Sequence, residues 1–371
     1  MTMAFRLLRP EHATVLTKYR NFLVIVGQGK LLLGELCMSL ARNRAAGALL
    51  ASTIALAFCG SAAAATLQAS HQFPGGKGDA RDEMVQIIAR EVKAANVGLD
   101  VEVHPGASLY KPNEQWQAMV EGKLDISSFP LDYASGAEHA FGATLMPGLV
   151  RNHDRALRLN GSPFMTEIHE KIEKAGVIVL SNAWLGGAVA SRKGCIRTPA
   201  DVKGLKIRSA GPTFAAMWQS GGASVVTVPS NEVYAALESG AIDATDTSAG
   251  SFVAFHLFEQ VKCLTAPGEN ALWFMYEPVL MSKMSFDRLN KQQQQALLAA
   301  GKKAEEYFAK ASKTLDEEMV EIFKLHKVQI VTLTPTEYAT WISLARESSY
   351  AEFAKTVPDG KKLIDEALAV Q

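Results

Sequence analysis

Charge of one sign, cysteine and the short signatures of covalent chemistry are what this sequence has least of. Its 38 Lys and Arg balance 38 Asp and Glu over 371 residues, so there is no basic face on which nucleic acid would be held electrostatically. No HExxH, paired CxxC, Walker loop or GxSxG occurs, which removes the stronger signatures of zinc, nucleotide and serine-hydrolase chemistry. His71, His139 and His153 form no helical pair at metal spacing, and solvated or capped side chains explain them. No metal and no cofactor is expected. Apolar residues are not lacking: at 48% hydrophobic content the chain can bury a large core, and intrinsic disorder is excluded.

The zero net charge hides an uneven distribution. Residues 1–65 hold seven basic and two acidic residues, leaving 31 basic and 36 acidic beyond them. Arg42 and Arg44 precede an apolar run, 45–65, that ends in Ser61-Ala62-Ala63-Ala64-Ala65. A positive flank, a short apolar middle and a small-residue exit describe a secretory signal peptide over 38–65, with cleavage after Ala65. A membrane anchor is the rival reading, but Ala, Gly and Ser leave the run weakly apolar. Met38 stands where such a leader would start, so residues 1–37 read as an over-extended start. Cys37 and Cys59 leave with the leader, and an exported chain with only Cys195 and Cys263 invites one disulfide between them, the alternative being two buried thiols.

Beyond the leader, hydrophobic periodicity alternates between strand and helix. Strands are predicted at 66–72, 99–103, 125–129 and 177–180, with helices at 79–95, 113–121, 155–159 and 164–175. A second block repeats the pattern: strands at 205–208, 224–228 and 242–245, helices at 212–219 and 232–238. A long charged helix over 290–325, a strand at 328–333 and helical sequence over 335–354 close the chain. The fold class is α/β in two blocks. No Pro/Gly-rich spacer separates them, so extended segments, 177–192 outward and 262–281 back, are expected to join them. Gly75-Gly76-Lys77-Gly78 before the first helix fits neither dinucleotide nor phosphate-loop spacing and reads as a tight turn. Asp243 and Asp246 stand three apart, spaced for an acid/base pair or, equally well, for a strand-to-helix cap.

More informative is Thr198-Pro199-Ala200-Asp201-Val202-Lys203-Gly204-Leu205-Lys206-Ile207-Arg208. It resembles the "tPaDlkGlKiR" segment of the solute-binding proteins of tripartite ATP-independent periplasmic (TRAP) transporters. The likeness continues through Gly222-Ala223-Ser224, Pro229, the 232–237 run Glu-Val-Tyr-Ala-Ala-Leu and Gly240-Ala241-Ile242-Asp243, and earlier through Glu121-Gly122-Lys123-Leu124-Asp125-Ile126. The resemblance implies a two-lobed periplasmic binding protein fold with hinge-crossing strands and a long C-terminal helix. Lobe 1 would take 66–185, lobe 2 186–272, and 273–371 would return to lobe 1.

By the same resemblance, Arg208 is the main ligand group, because a guanidinium fork meets a carboxylate through two parallel bonds that lysine cannot reproduce. Asp246, Thr247 and Ser248 match the family's polar turn, although Thr247 stands where the sialic-acid-binding branch has Asn and Ala188 where it has a second arginine. Trp184, Trp273, Phe274 and Tyr276 lie on the crossing segments, either walling a pocket or packing the lobe junction. The crossing geometry would also bring Cys195 and Cys263 together. The expected ligand is a small organic acid: an apolar or aromatic monocarboxylate by preference, with C4-dicarboxylates and sugar acids open. The expected partner is a TRAP membrane permease, and a monomer is expected. The alternative is an exported α/β enzyme acting on the same acids with Asp246 or Glu232 as base.

Overall fold

The computed structural model describes residues 65–76 and 78–370; the leader, apart from Ala65, lies outside them. Strand β1 (Ala65–Ser70) leads through helix α1 (Ala80–Ala94) to β2 (Leu99–His104), and α2 (Pro112–Val120) leads to β3 (Ile126–Ser128). Helices α3 (His153–Leu159) and α4 (Pro163–Lys174) precede β4 (Val177–Ser181). Asp79 starts α1 by accepting the Arg81 N–H, which satisfies a first-turn donor. Met84, Val85, Ile88 and Val92 of α1 are fully buried, the helical spacing of a core-facing stripe.

Strand β5 (Trp184–Ser191) opens the second half, followed by β6 (Lys206–Ser209), α5 (Pro212–Ser220), β7 (Ser224–Thr227), α6 (Val233–Glu238), β8 (Ala244–Ser248), α7 (Ala249–Ala254) and β9 (Cys263–Ala266). The chain returns through β10 (Phe274–Tyr276), β11 (Val279–Ser282), α8 (Lys283–Asp287) and the long α9 (Lys291–Leu325). It closes with β12 (Gln329–Thr332), α10 (Pro335–Ala345), a π-helical turn, α11 (Ala351–Thr356) and α12 (Gly360–Ala369).

One sheet has the order β2-β1-β3-β11-β4, the other β12-β9-β5-β8-β6-β7, with β10 paired to β5. In the first sheet β1, β2 and β3 are parallel while β11 runs against β3 and β4. Each sheet marks one lobe. The connections are ordered strands: β4 and β5 belong to different sheets although two residues apart, and β5 itself pairs with β10 over 184–186 and with β8 and β9 beyond Gly187. The Cys195–Cys263 disulfide closes this region with Cα atoms 5.0 Å apart, β5 and β9 being antiparallel neighbours in which Ser191 faces Cys263.

One feature departs from the sequence reading. The segment after 273 does not return wholly to the first lobe, because β12 pairs with β9 at the edge of the second sheet. Helix α9 accounts for this: 35 residues span about 52 Å, enough to pack Leu297, Ala300 and Phe308 against the first sheet and Met319 and Phe323 against the second. The stretch 335–354 is helical as expected, with a π turn at Arg346–Tyr350 between α10 and α11.

Candidate functional site

Parallel strands direct their carboxyl ends, and the side chains just beyond them, toward the crevice between elements. Arg208 is the third residue of β6, 1% exposed. Its Nε donates to Val228 O (2.9 Å), Nη1 to Asp246 O (2.8 Å) and Nη2 to Tyr133 Oη (3.3 Å). A guanidinium has five N–H groups; three are used among the described residues, which leaves one on each terminal nitrogen. Two such donors side by side are what a carboxylate takes.

Tyr133 comes from the other lobe, in the 3-10 turn Leu131–Ala134 after β3. Its hydroxyl also accepts from the Ser230 N–H (2.9 Å) and lies 3.4 Å from Gln72 Nε2, just past β1. Both lobes therefore contribute to the surroundings of Arg208. A cavity of about 190 Å³ opens beside it, lined by Asn113, Asp132 and Tyr133 on one side and Gly211, Thr227 and Val228 on the other. A larger cavity of about 470 Å³ lies between β5, the 266–272 loop and α10. Neither lining includes a cationic side chain; the smaller cavity is the one bounded by Tyr133 and Val228, both of which bond Arg208.

Asp132 is the unusual group of the smaller cavity. It is 1% exposed; Oδ1 accepts from Ser135 Oγ (2.9 Å), and Oδ2 has no partner. Burial pushes its carboxyl up to about 7; the Ser135 hydroxyl opposes this, the charge of Asp246 adds to it and that of Arg208 subtracts. Buried oxygens without partners are rare, and Ser70 Oγ and Ser128 Oγ, at the carboxyl ends of β1 and β3, are two more.

Asp246, expected in the ligand turn or as a catalytic base, lies in the interior of β8. Its carboxylate accepts from Trp218 Nε1 (2.7 Å) and Trp273 Nε1 (3.2 Å) and stands 3.8 Å from Arg208 Nη1. Burial raises its pKa and Arg208 works against that. With both oxygens engaged it orients the guanidinium from behind. It is not a cap either: Ser248 caps α7 by accepting from the Ser251 N–H. Asp243 pairs instead with Lys193 and the Lys206 N–H. Thr247 is buried opposite Ala188 in the β5–β8 ladder.

Ser248 belongs to a second buried cluster, which no sequence motif marks. Arg81, at the start of α1, donates through Nη1 to Ser248 Oγ (3.1 Å), Ser251 Oγ (2.8 Å) and Glu277 Oε2 (3.4 Å), and through Nε and Nη2 to Asp79. It lies 3.7 Å over the Phe73 ring. Burial opposes its charge, but Asp79 and Glu277 outweigh burial and raise its pKa. These N–H groups bind lobe to lobe and leave little for a ligand.

None of the four junction aromatics lines the cavity beside Arg208. Trp184 Nε1 donates to Asn160 Oδ1, and its ring packs on Tyr276 at 4.9 Å. The Tyr276 hydroxyl bridges Asn182 and His169, and Phe274 meets His153 edge-on. Trp273 donates to Asp246 and also lines the larger cavity. Packing at the lobe junction is the reading these contacts favour. The tight turn before α1 is likewise structural: the Gly76 N–H donates to Asp82 Oδ2. Among the described residues no group of three His, Cys, Asp or Glu could hold a metal ion.

Two α/β lobes joined by crossing strands, with a buried arginine fork between them, define a two-lobed solute-binding protein. Residues 82–356 match the bacterial extracellular solute-binding protein family 7, and the chain belongs to that family. A solute-binding protein of Albidiferax ferrireducens is 37% identical over 331 residues, 88% of this chain and 96% of that protein. The crystal structure of a TRAP periplasmic solute-binding protein from Rhodoferax ferrireducens with bound malonate has a TM-score of 0.78 at 36% identity, covering 81% of this chain and 96% of that one. A Bordetella pertussis extracytoplasmic solute receptor binding pyroglutamic acid has a TM-score of 0.75 at 22% identity, covering 82% and 99%, and speaks to the fold alone.

Proposed function

We propose that this chain is exported through a cleaved leader, captures a small organic acid between its lobes with Arg208 gripping the carboxylate, and delivers it to a TRAP permease without transforming it. The observation that carries this reading is the pair of unused N–H groups on a buried guanidinium whose remaining donors are fixed by Val228, Asp246 and Tyr133. A fork oriented in advance loses little entropy on binding and meets the anion in a site of low dielectric. Closure selects the ligand because groups from both lobes touch it only when the lobes are shut. Malonate in the Rhodoferax ferrireducens relative supports a carboxylate ligand.

The enzyme reading loses its first candidate base, since both Asp246 oxygens accept from tryptophans. The test is a carboxylate library screened by thermal shift against protein purified from the periplasm, with the acid followed by NMR. Saturable stabilisation with unchanged acid, weakened at least tenfold by Arg208→Lys, is expected. Product formation, or an Arg208→Lys variant that binds as before, contradicts it.

A further inference from the structure

An anion site lined by a buried carboxylate needs a reason. Asp132 stands on the cavity wall with Oδ2 unpartnered, directed at the lobe that carries Arg208: a Cβ placed on Gly211 would lie 1.9 Å from that oxygen. Gly211 is three residues past Arg208 and caps the N-terminus of α5. The cavity thus has a vacant acceptor on its wall, and two of its other lining residues, Tyr133 and Val228, hold Arg208 behind them. The charged groups acting on Asp132 are Arg208 and Asp246, and Ser135 Oγ takes its other oxygen.

We infer that the site selects organic acids that carry a hydrogen-bond donor (an amine, a ring N–H or a hydroxyl) a few atoms from the carboxylate, and that Asp132 Oδ2 receives that donor. This rests on the reading that Arg208 takes the carboxylate. A plain monocarboxylate leaves a buried carboxylate oxygen unpaired, which is costly. A dicarboxylate brings a second negative charge against Asp132, and the two coexist only if a proton is taken up. An amino or hydroxy acid satisfies both ends, and an amine also places a positive charge against Asp132. The volume of about 190 Å³ fits a compact molecule.

The test is calorimetric titration of the exported protein at pH 8 with matched probes: proline against cyclopentanecarboxylate, lactate against propanoate, and succinate and malonate as dicarboxylates. The donor-bearing member of each pair is expected to bind at least tenfold tighter, the scale of one hydrogen bond to a charged group. Asp132→Ala should erase that preference. Asp132→Asn, which keeps the shape and can itself donate, should shift it toward the dicarboxylates. Equal affinity within each pair, dicarboxylates binding tightest at pH 8, or a preference that survives both substitutions overturns the assignment. Arg208→Lys separates the two levels. If it weakens every acid while the pairs bind alike, only the Asp132 assignment fails; if it leaves all acids unaffected, or if no acid binds the native protein, the Arg208 reading falls and this inference with it.

Discussion

Arg208 and Arg81 are both buried guanidinium groups, and their partners separate their roles. Arg81 is surrounded by two carboxylates and two serine hydroxyls, a satisfied structural cation. Arg208 meets two carbonyls, a tyrosine and a carboxylate at 3.8 Å, and keeps donors in reserve. Asp132 adds a stability effect with a definite sign. Its folded pKa, about 7 against an ordinary 3.8, means the native state binds more protons than the unfolded chain between those values, so its contribution is present at low pH and lost as pH rises through 7. Asp132→Asn is therefore expected to stabilise the unliganded protein by about 2–4 kcal/mol at pH 8 and by little at pH 4, read from urea unfolding at both values. At this scale the position of Arg208 on a strand was legible from the 205–208 pattern, and its ligand role came from the family motif alone. Asp132 and Tyr133 were not legible, because Ser-Phe-Pro-Leu-Asp-Tyr after β3 has no motif of its own; only the strand order brings it opposite β6. The rule that ligands lie beyond the carboxyl ends of parallel strands would have pointed there.

Strand β5 is the element on which both lobes depend. Gly187 sits where it stops pairing with β10 and begins pairing with β8, and a Cβ there would come 2.2 Å from both Thr247 O and the Trp273 ring. Gly187→Ala is expected to cost about 1–3 kcal/mol. It should also weaken acid binding, because displacing Trp273 disturbs the indole bond to Asp246 and hence Arg208; paired melting and titration measurements check both effects. The disulfide acts on the same region differently. Its sequence separation of 68 residues gives about 4 kcal/mol by chain entropy, so the Cys195→Ser, Cys263→Ser double variant should lose about 2–5 kcal/mol of stability with acid affinity almost unchanged. Strand and helix positions were largely readable here, since alternating and 3.6-residue patterns mark them. Helices α7, α8 and α12 escaped: α7 and α8 are only six and five residues, too short for periodicity to show clearly.

Across the whole molecule, closure is held by contacts that cross between lobes: Tyr133 to Arg208 and Ser230, and Arg81 to Ser248 and Ser251. Removing the Arg81 charge leaves Asp79 and Glu277 buried without their cation, a loss of about 3–5 kcal/mol for such a pair. Arg81→Gln should shift the unliganded protein toward open forms, seen as a larger radius of gyration in small-angle scattering; an unchanged radius would contradict this. Two α/β blocks joined by extended segments followed from the repeated pattern and the absent linker; that they form two lobes was what the family resemblance implied. The sharing of α9 and β12 between lobes followed from neither, because no local pattern says which sheet a terminal strand will join. The most direct test of the account is a crystal structure of the exported protein with a bound acid from the library. The account predicts the acid's carboxylate in two parallel hydrogen bonds to the terminal nitrogens of Arg208. A ligand seated elsewhere, with both nitrogens turned to water or protein, would contradict it.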